Sequence, residues 1–177
     1  MTGRRSLVLR WLLTAGAIGW AALIVLAPVW DAAPGEAGHT GRKTLAVLVR
    51  MAGAQVCHQR PERSFHVHGR PLAVCGRCTG LYVSAALGLL AASARRRRAP
   101  LPSANAPAWW PSRLDARAAW LAVAALPTMV TWSMEVAAGW NPGTPLRALA
   151  ALPLGLTAGW LLGRALDRVP LPATPFR

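Results

Sequence analysis

Residues 11–30 read Trp-Leu-Leu-Thr-Ala-Gly-Ala-Ile-Gly-Trp-Ala-Ala-Leu-Ile-Val-Leu-Ala-Pro-Val-Trp, twenty positions without a charge. At about 1.5 Å per residue such a helix crosses the ~30 Å hydrocarbon core of a bilayer. Arg4 and Arg5 precede it, and Arg10 is placed to snorkel to the same interface. A cleavable signal peptide is the rival reading. The apolar run is too long for a typical signal-peptide core, no clean small-x-small site follows it, and the residues around the twin arginines fit a twin-arginine export signal poorly. The stretch reads as an uncleaved first transmembrane helix.

Working outward, the rest of the chain repeats the pattern. Apolar residues make up 54 % of the 177 and charged residues 15 %, far from the balance of a soluble domain. Further spans are expected at about 77–94, 116–135 and 146–165, within a single membrane domain covering 1–177. Ser112 and Asp115 resemble a capping box that opens the third helix, and Pro127 should kink it. Thr144 and Pro145 look like the N-cap and first position of the fourth helix, which Pro153 would bend. The net charge of +14 raises nucleic-acid binding as a possibility. However, the arginines flank apolar runs and the nine tryptophans sit mostly near the ends of those runs, which is a membrane signature. Nucleic acid is therefore excluded as a partner, and the lipid bilayer is expected.

Orientation follows from the cations. With the N-terminus inside, the inner segments 1–10, 95–117 and 164–177 hold twelve cations in 47 residues. The outer segments 31–78 and 135–147 hold eight in 61. The block Arg95-Arg96-Arg97-Arg98, directly after the second span, weighs most. We expect a multi-pass protein of the cell membrane with both termini cytoplasmic and the loop 31–78 outside.

Within that loop, Leu45, Leu48, Val49, Ala52 and Val56 recur at helical spacing, with Lys43 and Arg50 roughly opposite. This predicts a short helix lying on the membrane surface or on the other helices. Two spans carry small residues four apart: Gly80, Ser84, Gly88 and Ala92 in the second, Gly155, Gly159 and Gly163 in the fourth. Such faces permit close backbone approach, so these two helices are expected to pack together. The fold class is thus all-α and polytopic, four spans with a short interfacial helix in the first outer loop.

Every cysteine and histidine falls between His39 and Cys78, under a quarter of the chain. The loop runs Cys57-His58-Gln59-Arg60-Pro61-Glu62-Arg63-Ser64-Phe65-His66-Val67-His68-Gly69-Arg70, then Pro71-Leu72-Ala73-Val74-Cys75-Gly76-Arg77-Cys78-Thr79-Gly80. This stretch resembles the signature of a prokaryotic membrane-protein family, the domain of unknown function 2085 family. Its pattern is Cys-His-Gln, then Arg-Ser-Phe, then Val-Cys-x-Arg, then Thr-Gly and an aromatic. Cys57, His58, Gln59, Arg63, Ser64, Phe65, Val74, Cys75, Arg77, Thr79, Gly80 and Tyr82 match it, over about 26 residues. The family tends to carry an Asp and a Gln four apart after a proline in the third helix, where this chain has Thr131 and Glu135. An arginine opening the last helix is matched by Arg147. The resemblance implies membrane location and no particular activity.

Chemically, Cys75-x-x-Cys78 has the spacing at which two thiolates grip one ion. Cys57 and a histidine (His58, His66 or His68) would complete a tetrahedral set for zinc or another transition metal. Adjacent Cys57 and His58 cannot easily turn to one ion, which favours His66 or His68 and leaves His58 a supporting or catalytic role. Arg60, Arg63, Arg70 and Arg77 are expected to favour the thiolates. Two other readings stay open. A Cys-x-x-Cys at the outer mouth of a four-helix membrane protein is similar to quinone-linked thiol oxidases, but the second outer loop, 135–147, lacks their second cysteine pair. A structural disulfide from Cys57 to Cys75 or Cys78 would leave one thiol over, since three cysteines cannot all pair within one chain. Glu135 reads either as an ion- or proton-handling carboxylate or as a salt bridge to Arg147 that staples the third helix to the fourth; the staple is favoured. Arg10, Asp167 and Arg168 read as plain interfacial residues.

The best functional reading is a membrane protein whose outer loop binds a transition metal. An enzyme using the metal or the thiols is one alternative. A structural subunit packing through its glycine faces, against further copies or other membrane subunits, is the other.

Overall fold

The computed structural model describes residues 2–32, 40–94 and 113–166. Among these, five α-helices follow in order: α1 (Thr2–Ala32), α2 (Thr40–Ala54), α3 (Gly76–Ala94), α4 (Arg113–Ala138) and α5 (Gly143–Leu166). Four contain segments long and apolar enough to cross a membrane: Leu7–Asp31, Gly76–Ala94, Ala116–Ala138 and Gly143–Leu166. The protein is all-α, with one small addition. Residues His66–Val67 (β1) and Arg70–Pro71 (β2) pair as a minimal antiparallel hairpin, His66 opposite Pro71. His68 and Gly69 at its tip both have positive φ, 50° and 74°, as a two-residue hairpin turn demands.

α3 and α5 form the central pair, and glycine makes it. A Cβ on Gly80 would sit 2.9 Å from the Cα of Ala148, and one on Gly88 would lie 2.8 Å from the backbone nitrogen of Trp160. From the other side, Gly155 is pressed against Leu81 and Ser84, Gly159 against Ala85, and Gly163 against Ala92. Both stripes of small residues therefore face each other. The pairings rise together in sequence, so the two helices run parallel, with α4 returning the chain between them. Backbones this close gain dispersion contacts that larger side chains would prevent.

α1 packs on α3 where Arg10 reaches Ser93, where Ile24 shares a buried cluster with Cys78 and Tyr82, and where Trp20 meets Tyr82 edge-on at 6.0 Å. Arg10 corrects our expectation of a snorkelling interfacial residue. It is 2 % exposed and donates from Nη2 to the Ser93 carbonyl at 3.0 Å. The bond ties α1 to the far end of the described part of α3 and gives a guanidinium shielded from solvent an acceptor for one of its N–H groups. α4 packs on α5. Its side chains are otherwise mostly exposed; Trp120, Val123, Leu126, Met129, Val130 and Trp132 all face outward. Both helices continue through their prolines, Pro127 and Pro153.

α2 turns Ala46, Val49 and Gly53 inward, against Ala27 and Ala73, while Leu45, Leu48, Met51 and Val56 stay exposed. The buried stripe is thus offset from the expected one, and most of the larger apolar residues are left on the outer surface. Arg50 ties this helix to α1 by an ion pair with Asp31 at 2.6 Å. The Arg95–Arg98 block, Ser112, His39, Asp167 and Arg168 lie outside the described residues.

Candidate metal centre

The end of the bundle that holds the α2 surface also gathers the residues with chemistry. Cys57 follows α2, Cys75 immediately precedes α3, and Cys78 sits in its first turn. Residues three apart on a helix lie on one face, so the Cys75–Cys78 pair follows from local geometry alone. Cys57 arrives from eighteen residues away by three ties. Gln59, held at φ 48°, donates from Nε2 to the carbonyls of Arg50 (2.6 Å) and Ala73 (2.7 Å), clamping the end of α2 to the entry of α3. Gly53 lets them meet, since a Cβ there would lie 2.7 Å from the Ala73 oxygen. The Cys75 backbone N–H then donates to the Cys57 sulfur at 3.2 Å. Beneath the loop, Cys57, Leu72, Val74 and Ile24 make a small buried cluster with Phe65 and Tyr82 packed against it. Ser64 is buried and donates to the Arg60 carbonyl at 3.0 Å.

The outcome is that the three sulfurs all lie within 4.8 Å of one another, and all three thiols are free. They sit at the N-terminus of α3, where unpaired N–H groups favour negative charge. A hydrogen bond from the Cys78 side chain, opposed by burial and helped by backbone N–H groups including that of Arg77, holds the Cys75 thiol down to about 5. The arginine side chains expected to do this do something else. Arg60 and Arg70 are exposed, while Arg63 and Arg77 turn to Glu135. No histidine belongs to the three-sulfur group among the described residues, and His58, His66 and His68 are all exposed.

Beside the thiols lies a second cluster. Arg77 grips Glu135 with both terminal nitrogens, Nη2 to Oε1 at 2.8 Å and Nη1 to Oε2 at 3.3 Å, and its Nη2 also reaches the Thr131 hydroxyl at 3.4 Å. Arg147 donates from Nε to Oε1 at 2.7 Å and from Nη2 to the Asn141 side-chain oxygen at 3.1 Å. Arg63 approaches Oε2 at 3.6 Å. The Glu135–Arg147 staple is present, but as part of a group of four that also draws in α3 and the loop. Sequence reasoning missed Arg77 as the bidentate partner and Gln59 as the clamp. The first had a signal, because Arg77 opens the second span and Glu135 closes the third, which brings both to the same end of an up-and-down bundle.

Among curated proteins, a 48-residue stretch is 36 % identical to an uncharacterized protein of Methanocaldococcus jannaschii, covering 27 % of this chain and 31 % of that one. A 38-residue stretch is 45 % identical to an uncharacterized protein of Methanothermobacter thermautotrophicus, covering 22 % and 34 %. The matched stretch thus spans about a third of the length of each relative. No solved structure matches. The family described as "Predicted membrane protein (DUF2085)" matches residues 57–161, from Cys57 through the α3–α5 core, which is more than half of the 177 residues. The chain belongs to this DUF2085 family of membrane proteins.

Proposed function

We propose that Cys57, Cys75 and Cys78 hold one divalent transition metal, zinc suiting the donors best, on the extracytoplasmic side of a four-span membrane protein. The observation that carries this reading is the convergence of the three sulfurs within 4.8 Å, one of them from outside the Cys-x-x-Cys turn. Thiolates at about 2.3 Å from a tetrahedral ion stand ~3.8 Å apart, so the set needs only a small contraction. The low Cys75 pKa supplies a thiolate at neutral pH. The fourth position falls to one of His58, His66 and His68, or to water where none of them reaches. Three protein ligands and a water is the arrangement of zinc sites that act on a substrate. The arginine bias in the sequence supports a site on the outer side with both termini in the cytoplasm.

Thiol–disulfide exchange by Cys75 and Cys78 is the second reading, favoured by the same lowered thiol. One experiment separates them. Protein purified without chelator is analysed for metal, then for free thiols after anaerobic chelation and denaturation. One metal and three thiols per chain, with retention lost in Cys75→Ala, is the expected result; no metal and a thiol count that rises under mild reductant would replace it with the redox reading. Metal retained by the His58→Ala/His66→Ala/His68→Ala variant assigns the fourth position to water. Labelling of the chelated cysteines in intact cells by a membrane-impermeant maleimide checks the outside placement.

A further inference from the structure

The group around Glu135 is out of balance. Three guanidinium groups surround one carboxylate, leaving two positive charges at a site where Arg147 is 3 % exposed, Glu135 6 % and Arg77 17 %. Both carboxylate oxygens are already occupied, Oε1 by Arg77 and Arg147, Oε2 by Arg77 and Arg63. Two buried donors are left over: Arg77 Nε and Arg147 Nη1 have no hydrogen-bond partner. Among the described residues no other carboxylate pairs with these arginines, and Asp31 is engaged by Arg50. Buried cations persist when an anion compensates them and their N–H groups are taken up.

We propose that Arg63, Arg77 and Arg147 form the binding site of a second anion, an oxyanion of the phosphate class, with Glu135 as the internal counter-charge that holds the arginines in position. Planar guanidinium groups fixed by one carboxylate present their remaining N–H donors in the rigid geometry that suits tetrahedral phosphate oxygens. Access is through Arg63, whose side chain is 40 % exposed and stands on the loop. The site lies where the last turn of α4 and the first turns of α3 and α5 meet, so in a spanning protein it is level with the phosphates of the bilayer. The ligand is then either a lipid phosphodiester or a free phosphate from the aqueous side. The inference is independent of the metal reading, since it uses none of the thiols.

The test uses the full chain in neutral detergent, its thermal midpoint followed while ligand is added at constant ionic strength set with sodium chloride. The probes are inorganic phosphate, and mixed micelles of phosphatidylglycerol or phosphatidylcholine. A saturable rise with phosphate identifies a free oxyanion, and a rise with phosphatidylglycerol but not phosphate or phosphatidylcholine identifies a lipid headgroup. Either supports the site if Arg63→Gln, a substitution at a half-exposed residue, weakens the response about tenfold, the cost of one charge-assisted hydrogen bond. Glu135→Gln gives a second, opposite readout. Removing the internal counter-charge should increase the response to the anion, whereas loss of a merely structural salt bridge would lower the midpoint equally with and without it. The proposal is overturned if neither anion moves the midpoint of wild type or Glu135→Gln, or if Arg63→Gln leaves the response unchanged.

Discussion

Helix α5 packs mainly on two other helices, α3 and α4, and they hold it in different ways. Toward α3 it offers Gly155, Gly159 and Gly163, and the two backbones approach until no side chain fits between them. Toward α4 the ties are polar and few. The Thr128 hydroxyl donates to the Ala150 carbonyl at 2.8 Å, and Glu135 meets Arg147 near the end of the helix. Most of α4 beyond these points is exposed apolar surface. In lipid there is no hydrophobic gain from bringing two apolar helices together, so association rests on shape or on polar bonds. The α3–α5 seam uses shape along its whole length. The α4 interface uses polar bonds at a few points, and leaves that helix the better placed of the two to shift.

The comparison can be broken at its strongest point first. Gly159→Leu forces a side chain into the backbone of Ala85, and should cost about 3 kcal/mol or more, lowering the thermal midpoint in detergent by roughly 10 °C. A midpoint near wild type would remove the claim that the seam is close-packed. Thr128→Val should cost only about 0.6–1 kcal/mol, a shift of ~2–4 °C, because one interhelical hydrogen bond in a membrane protein is worth little more. Val123→Ala, at a position 57 % exposed, serves as the control and should stay within about 0.5 kcal/mol of wild type. A Thr128→Val loss as large as that of Gly159→Leu would mean that the two interfaces are equivalent after all.

The smallest effect on the fold belongs to the thiols, where the readout is chemical. Cys75 is held down to about 5, so its thiolate is present above that pH and is lost as the pH falls through it. In chelated protein, alkylation of Cys75 by iodoacetamide, mapped by mass spectrometry, should be level from about pH 6.5 upward and fall away near pH 5. Ordinary thiols instead gain rate up to about pH 8.5. Cys78→Ala removes the principal hydrogen bond to that sulfur and should move the midpoint up toward the ordinary value with little change in thermal stability. A wild-type profile centred near pH 8.5 would contradict the arrangement of the three sulfurs.

Much of this was legible in the residues, and the reasons differ from one feature to the next. The spans could be read because hydrocarbon thickness fixes the length of an uncharged helix. The α3–α5 seam could be read because small residues four apart share a face wherever the helix goes. The Cys75–Cys78 pair was legible for the same reason. Arg10 was misread because flanking arginines usually reach for the interface, and only the packing of α1 on α3 brings the Ser93 carbonyl within its reach instead. The buried stripe of α2 was misplaced because its apolar residues cover more than one face. Size was the wrong guide, since Ala46 and Gly53 allow closer approach than Leu45 and Leu48.

What the sequence determined by itself was local and one-dimensional: four apolar segments, their lengths, the small-residue faces, and a loop holding every cysteine and histidine. Tertiary structure decided which of those residues meet. It brought Cys57 to the Cys75–Cys78 pair through the Gln59 clamp and left the three histidines exposed. It also drew three arginines from the loop, α3 and α5 onto one carboxylate of α4. Helical periodicity fixes neighbours only within a turn or two, whereas a charge among apolar helices goes to whichever partner the packing brings within reach. That partner can lie 58 residues away, as Glu135 does from Arg77.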